Sequence, residues 1–549
     1  MKFLTFIIFY ITIIFSVIGY GSIFRKIIGH KNNFNIGYSG IYGIFFITFI
    51  AYFQNYFFPI STLTNLLIHS IGVIFFWYYY KKNYYFPSNE LILLFIIVFF
   101  TLFFILSAKP HDDFEYYHFP YINLLNNESL LFGIGNFNHG FRTPSSIFYF
   151  SSTFYLPIIK YEIVHIGAAL FLIFANLILL EKLIINKKNF SKFVLIFNLL
   201  AFSMINIFFY RMGEHGTDRS AQILILLFII ELLIILNYKK INLENISFSI
   251  VLIALAASLK AIYLVYLVFF IIFVYYASNK LNFILKIIKS KIFLFVSIFL
   301  IFILSIYFIN TGCLIYPLSF TCNNNFSWSI PVNQVKEMNQ WYQLWSKAGA
   351  SPDFSVSNPE EYINNFNWVL HWFDNYFFNK VSDYILGLLF LLFIVLTIFY
   401  KSNNNKLILP KYWPVYLTII ILFFEWFTNH PALRYGGYHL IALIFFIPFS
   451  IYLSNKTFDN KKLYSRILLV IILVSLVSIS RNIHRISKEY KQYNYNLFFY
   501  PSYDKRFENY SIYSKINDAK NCTVYICKKG SVVSKKIAGK HVFYINEKN

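Results

Sequence analysis

The chain has 549 residues, of which 58% are hydrophobic, 22% aromatic and 13% charged. Soluble domains carry about 25% charged residues, so the composition excludes a soluble enzyme, a disordered chain and a repeat solenoid and leaves a polytopic membrane protein. The net charge of +23 does not indicate nucleic-acid binding, because only nine of the 47 basic residues are arginine and the lysines cluster in short loops between apolar segments.

Apolar segments along the chain predict an all-α membrane protein with about 14 transmembrane helices, since about 20 apolar residues in a helix cross a bilayer core. In chain order they are 3–20, 41–58, 63–80, 91–107, 163–180, 192–209, 219–237, 246–259, 261–276, 292–309, 384–400, 413–427, 438–454 and 463–480. The stretch 246–276 is too long for one helix, and we divide it at Lys260, which then lies near the outer face.

Basic residues follow the odd-numbered segments, for example Arg25, Lys81, Lys182 and Lys280. Positive loops stay in the cytoplasm, so the N-terminus is predicted to lie outside. The first segment is expected to remain as a membrane helix, because it is long and lacks the small-residue cleavage site of a signal peptide.

Three outer regions are long: the loops 108–162 and 310–383, and a tail, 481–549, that follows a membrane domain over 1–480. The tail has 14 basic residues against 5 acidic ones, and its strand-like runs 523–526 and 541–545 predict a small β module. It would contact anionic lipid headgroups or an acidic glycan, or be a plain solvated tail.

All four cysteines fall in outer regions under this topology. Their short spacings predict two disulfides in an oxidising compartment, Cys313–Cys322 and Cys522–Cys527. The alternative is four free thiols, and neither spacing is that of a standard zinc knuckle.

A polar cluster directly follows the fourth apolar segment and contains His111, Asp112, Asp113, Glu115 and His118. Carboxylates and imidazoles of this kind serve as general bases or metal ligands. A close pair of carboxylates holds one raised pKa, which suits proton transfer. We therefore assign catalysis to Asp112 and Asp113. No cofactor is certain, although a divalent metal could bind Asp112, Asp113 and Glu115. A polar helix cap at the membrane surface is the alternative.

Arginines form the second signal. In a lysine-rich chain, an arginine indicates that the position needs a planar guanidinium, which can bind phosphate through two hydrogen bonds. Snorkelling to lipid headgroups is the alternative. Tryptophans in 310–383 could stack on sugars or form an interfacial belt. The predicted substrate-binding residues are Glu115, His118, Arg142, Arg211, His215, Arg219, Lys260 and Arg434.

With these features the chain resembles the GT-C superfamily of integral-membrane glycosyltransferases, and it looks closest to bacterial membrane families related to that superfamily. The resemblance lies in the acidic motif 111–115, in the following Tyr116-Tyr117-His118, in Arg142 and in the many helices with large outer loops. It covers mainly residues 91–310. One departure is that four segments precede the acidic loop, where GT-C enzymes commonly have one.

The resemblance implies a GT-C-like fold and an inverting transfer of a sugar from a polyprenyl-phosphate-linked donor to an envelope glycan, lipid or protein acceptor. The reaction would occur on the outer face of a bacterial inner membrane. An acidic residue of the first large outer loop acts as base or helps to bind metal in that superfamily, which maps to Asp112 or Asp113, with Asp113 favoured. The implied partners are the lipid-linked donor, membrane lipids and a glycan or lipid acceptor.

Two other functions stay open at this point. An O-antigen or polysaccharide polymerase or ligase also has many spans and outer arginines, but it relies on arginine and histidine rather than on an acidic pair. A transporter for lipid-linked glycans would place ionisable groups near the middle of the membrane, whereas these lie mostly at the ends of the segments.

Overall fold

The computed structural model describes residues 2–30, 35–83, 88–106, 113–210, 212–214, 217–237, 241, 243–350, 356–400, 412–456, 459–493, 511–522 and 527–547. In these ranges the protein is built of helices with one two-stranded sheet. Eight helical segments are long and apolar enough to cross a membrane: Phe3–Ile27, Ile36–Phe57, Thr62–Lys81, Tyr161–Ile185, Lys291–Thr311, Val369–Ile398, Gly437–Ser454 and Asn460–Gln492. Shorter apolar helices accompany them. The protein is therefore an all-α membrane protein.

The α-helices and strands of the described residues are numbered in chain order. They are α1 (Lys2–Ile27), α2 (Ile36–Phe57), α3 (Thr62–Asn83), α4 (Ser88–Ile105), α5 (Phe119–Asn127), α6 (Ser146–Ser152), α7 (Ile166–Leu180), α8 (Lys192–Phe208), α9 (Asp218–Ile235), α10 (Leu243–Leu259), α11 (Phe270–Tyr276), α12 (Lys280–Ile288), α13 (Lys291–Thr311), α14 (Val332–Lys347), α15 (Pro359–Ile363), α16 (Val369–Trp372), α17 (Ser382–Ile398), α18 (Trp413–Asn429), α19 (Gly437–Ser454), α20 (Asn460–Tyr493), α21 (Ser511–Asn521), β1 (Val532–Ile537) and β2 (Lys540–Ile545).

Each apolar segment predicted from the sequence is helical in the structure. Two differ in detail. The segment 261–276 begins as a 3₁₀ helix, Ala261–Phe269, before α11, and the last segment continues in α20 well beyond its predicted end. Lys260, whose backbone is extended (φ −157°), separates α10 from this 3₁₀ stretch, so the helix breaks at the residue where the division was predicted.

Helix α7 lies at the centre of the bundle, and all fifteen of its residues are buried. Glycines of α2 allow a close approach to it: a Cβ on Gly40 would collide with the ring of Phe174, and one on Gly37 would lie 2.7 Å from Ile178. Small residues at helix contacts are the usual way in which membrane helices pack.

The ends of the helices define two ends of the bundle. We call the end at which α4, α8, α10 and α13 finish the upper end, and the other the lower end. At the lower end the backbone N–H of Ile36, the first residue of α2, donates to Glu90 of α4 (3.0 Å). Nearby, Lys182 Nζ lies 2.9 Å from Glu231 Oε1, and both side chains are at most 10% exposed.

Long connections and the C-terminal residues cover the upper end. The described part of the tail contains α21 and the antiparallel hairpin β1–β2. Strand β2 covers the predicted run 541–545, whereas the predicted run 523–526 lies outside the described residues and β1 was not predicted. The hairpin attaches to the loop after α5, because Phe132 N–H donates to His541 O (3.2 Å) and Phe543 N–H donates to Phe132 O (2.9 Å).

Both predicted cysteine pairs lie at disulfide distance. The Cα atoms of Cys313 and Cys322 are 3.8 Å apart, and those of Cys522 and Cys527 are 6.1 Å apart. The first pair closes the loop that follows α13, and the second lies between α21 and the hairpin.

Candidate functional site

Four charged residues from four separate parts of the sequence meet at the upper end, and we call them the charged cluster: Asp113, Asp218, Lys260 and Arg434. Asp113 precedes a π-helical turn, Phe114–His118, and Asp218 is the first residue of α9. Lys260 follows α10, and Arg434 lies in a single 3₁₀ turn before α19. Each residue therefore stands where a helix begins or ends.

Asp218 links the two cations of the cluster. Its Oδ1 forms an ion pair with Lys260 Nζ, and its Oδ2 accepts a hydrogen bond from Arg434 Nε (2.7 Å). Arg434 Nη2 lies 3.6 Å from Asp113 Oδ2, which is an ion pair longer than a hydrogen bond. The guanidinium of Arg434 thus spans both carboxylates.

The exposure of these side chains shows which way the cluster opens. Asp218 is 12% exposed, whereas Arg434 and Asp113 are 35% and 32% exposed. Asp218 therefore lies at the bottom of the cluster, and the Asp113–Arg434 pair faces the opening, where a ligand can reach it.

The short loop that carries Arg434 is fixed by hydrogen bonds from surrounding side chains. Gln222 Nε2 donates to the carbonyl of Arg434 (3.1 Å), and the indole N–H groups of Trp372 and Trp426 donate to Pro431 O and Ala432 O (3.0 Å each). The loop backbone is therefore held on several sides, and the ion pair with Asp218 orients the Arg434 side chain.

Aromatic rings surround the two cations. Lys260 Nζ lies 4.2 Å from the centre of the Tyr435 ring, and Arg434 Cζ lies 5.6 Å from that of Trp345. Such contacts attract cations through the ring quadrupole. They also give the opening flat apolar surfaces beside its charges, a combination that suits a ligand with both an anionic group and a ring.

Neighbouring charges and burial change the pKa values in and near the cluster. Burial alone would raise the pKa of Asp218, but Arg434 and Lys260 outweigh this effect and hold it below its usual range. Burial raises the pKa of Tyr435 to about 12. Asp218 is therefore ionised and Tyr435 is a neutral hydroxyl at physiological pH.

Arg142 forms a second basic position close by. Its Nε donates to Gly135 O (3.0 Å) and its Nη1 to the hydroxyl of Tyr316 (3.1 Å). Burial, followed by the charge of Arg142, lowers the pKa of His139, which is also hydrogen-bonded to Tyr116 (2.9 Å). The negative charge of Asp113 acts on the pKa of His139 in the opposite direction without cancelling the decrease. His139 is therefore within electrostatic reach of the charged cluster.

The structure brings together three of the predicted site residues, Asp113, Lys260 and Arg434, and places others elsewhere. Arg219 stacks against Tyr438, with 5.9 Å from its Cζ to the ring centre. His118 is 3% exposed and packs on Phe148. Glu115 is partly exposed in the π-helical turn. Asp112, Arg211 and His215 lie outside the described residues.

Asp218 was not among the predicted site residues. It is one of four charged residues in the link 211–219, which also contains His215, and nothing in the spacing distinguishes it from the others. Its position next to the start of an apolar segment was the available signal, because a carboxylate there needs a cation or a helix N-terminus as partner.

The tryptophans of the loop after α13 divide into two groups. Trp345 and Trp341 line the opening, beside Arg434 and His139 respectively. Trp368 and Trp372 are at most 2% exposed. Trp372 donates to the loop that carries Arg434, and Trp368 packs on Trp372. Trp328 packs on Phe132, with 5.2 Å between the ring centres. Three of the five rings are thus packing residues, and Trp341 and Trp345 are the candidates for sugar stacking.

The described carboxylates do not form a metal site. Asp113 faces a guanidinium, and within the described residues no three of His, Cys, Asp and Glu converge as a ligand set. We therefore derive no chemical step through a metal ion.

The fold and the site together define a helical membrane protein with a charged cluster in the loops of its upper end. A family model described as "Domain of unknown function (DUF8201)" matches residues 1–441. The chain belongs to this family, and the matched range contains the whole charged cluster. No curated protein and no solved structure matches the chain.

Proposed function

We propose that this protein is a membrane glycosyltransferase that moves a sugar from a polyprenyl-phosphate-linked donor to an envelope glycan, lipid or protein acceptor. In this proposal it has a GT-C-like fold with fourteen spans, its upper end faces the outside of a bacterial inner membrane, and the tail is extracytoplasmic. The observation that supports it best is the pair Asp113–Arg434, in which a partly exposed carboxylate stands beside a partly exposed guanidinium.

The two members of the pair suit the two halves of the reaction. Asp113 takes the proton of the acceptor hydroxyl as general base. The acceptor oxygen then attacks the anomeric carbon, and the bond from that carbon to the phosphate oxygen of the donor breaks. Polyprenyl phosphate leaves with a negative charge, which Arg434 and Lys260 stabilise. The configuration at the sugar inverts, because attack and departure occur on opposite faces.

Asp218 has a positioning role in this scheme. It holds Arg434 through Nε (2.7 Å) and Lys260 through Nζ, so both cations are oriented before the donor arrives. Preorganised charges stabilise a developing anion without the cost of reorienting at the moment of reaction. The aromatic rings of Trp345 and Tyr435 flank the same opening and can pack against the sugar.

Binding of a prenyl phosphate tests the phosphate part of the proposal. Farnesyl phosphate would be titrated into the purified protein in detergent, with farnesol as the probe that lacks phosphate. Arg434→Lys replaces a fork by a point charge, and we expect it to weaken farnesyl phosphate binding about tenfold, which is about 1.4 kcal/mol, and to leave farnesol binding unchanged.

Lys336→Gln is the matched control, because Lys336 is an exposed basic residue of α14 outside the cluster. It should bind like the wild type. An Arg434→Lys variant with wild-type affinity for farnesyl phosphate would refute the role assigned to Arg434.

A further inference from the structure

The hairpin of the C-terminal tail ends in a basic tip that no part of the proposed reaction uses. Between 511 and 547 the sequence has seven lysines against two carboxylates. Lys535, Lys536 and Ile537 are exposed at the end of β1, and Ile537 is 48% exposed. Among the described residues, neither Lys535 nor Lys536 has an ion-pair partner.

Contacts on both sides of the tip fix its position on the protein. Lys540, the first residue of β2, donates to Ser129 Oγ (2.5 Å), and Lys520 of α21 forms an ion pair with Glu128. Asn136 Nδ2 donates to Phe543 O (3.4 Å) further along the strand. The tip is therefore attached to the loop after α5 rather than extending away from the protein.

That loop lies at the level where helix α2, a candidate membrane span, ends. Asn55 of α2 donates to Glu128 O (3.1 Å) and accepts from Leu130 N–H (2.9 Å). Asn55 is two residues from the end of α2, a distance of about 3 Å along the helix axis. Phe57 and Phe58, which follow it, are 59% and 67% exposed, as expected of rings in a lipid interface.

We propose that the hairpin tip docks on the anionic lipid headgroups around the protein, with Lys535 and Lys536 binding phosphates and Ile537 entering the interface. Basic residues beside an anionic membrane surface are attracted to its headgroups. An acidic glycan would meet the same charges, but the height of the tip and the exposed Ile537 favour lipid, because a glycan would be bound away from the membrane and needs no exposed aliphatic side chain.

A fluorescent label at the tip tests the proposal. Ala538 is exposed, so the full-length protein carrying Ala538→Cys would be labelled there with an environment-sensitive dye. It would be compared in nanodiscs of phosphatidylcholine alone and of phosphatidylcholine mixed with phosphatidylglycerol. We expect blue-shifted emission in the mixed nanodiscs. The shift should disappear at high salt, which screens charges beyond a few ångströms.

Removing charge at either end of the hairpin distinguishes lipid binding by the tip from attraction due to the overall positive charge of the tail. Lys535→Gln/Lys536→Gln should abolish the shift. Lys528→Gln/Lys529→Gln removes the same charge at the open end of the hairpin, about 20 Å away by the strand rise, and should preserve it. Equal emission in the two lipid compositions would overturn the proposal. So would a shift produced in phosphatidylcholine nanodiscs by added hyaluronate but not by phosphatidylglycerol.

Discussion

At the scale of single residues, Asp218 contributes most to holding the charged cluster together. It forms ion pairs with both cations of the cluster, and Asp113 forms a longer one with Arg434. The sequence predicted Asp113, Lys260 and Arg434, because a charged residue beside an apolar segment is costly unless it has a purpose. It did not predict Asp218, because the choice among the four charged residues of the link 211–219 depends on which side of α9 faces the loop before α19.

His430 leads to a prediction about pH at the same scale. It follows α18, and burial, together with the charges of Lys347 and Lys260, lowers its pKa from 6.5 to about 4. Below about pH 6.5 the unfolded chain therefore binds a proton that the folded chain does not bind until about pH 4. Stability should fall over this range as the pH falls. We expect His430→Gln to reduce that loss, measured as the thermal unfolding midpoint in detergent at several pH values.

His484→Gln is the control for this prediction, because it removes an exposed imidazole of α20. It should leave the pH dependence as in the wild type. A His430→Gln protein whose midpoint falls with pH as steeply as that of the wild type would show that His430 does not contribute.

At the scale of elements, the long helix α20 supports the loops that carry the site. Arg485 Nη2 lies within hydrogen-bond distance of three carbonyls at the end of α4, those of Phe103 (3.0 Å), Phe104 (3.2 Å) and Leu106 (3.2 Å), which share its two N–H groups. Arg481 Nη1 donates to Ile207 O near the end of α8 (2.9 Å). The last helix of the bundle therefore caps the helices that precede the acidic loop and the link to Asp218.

The Arg485 contact predicts an effect on α4 and on the site. A hydrogen bond from a charged group contributes about 1.5–3 kcal/mol, so Arg485→Met should expose the end of α4. We expect faster amide hydrogen exchange over 101–106 and lower activity, because Asp113 follows this helix end. Lys488→Met, at an exposed position one turn further on, should change neither. Unchanged exchange in Arg485→Met would contradict the capping role.

The elements also show what the sequence could and could not predict. The apolar segments were found as helices because a run of apolar residues is a local signal. The extension of α20 was missed, since residues 481–493 are polar and helical, and only their contacts with α4 and α8 explain why they continue the helix. The docking of the hairpin on Phe132 joins residues about four hundred positions apart, and local patterns carry no information about such a pairing.

At the scale of the whole molecule, the two ends of the bundle differ in how exposed these two ion pairs are. The lower end holds an ion pair, Lys182–Glu231, whose side chains are at most 10% exposed. The upper end holds an ion pair that is about one third exposed, Asp113–Arg434. A buried pair suits a structural contact and an accessible one suits a ligand, which is why we assign the reaction to the upper end.

The central claim is that Asp113 is the base of a sugar transfer. The most direct measurement is mass spectrometry of envelope glycans and lipid-linked sugars from a strain that lacks the gene, rescued with the wild type, Asp113→Asn or Asp374→Asn. Asp374 is an exposed aspartate of the upper-end loop and serves as the control. We expect wild type and Asp374→Asn to restore one defined sugar. Asp113→Asn should leave that sugar missing and its lipid-linked donor accumulated, with the protein present at wild-type level. Full rescue by Asp113→Asn would contradict the account.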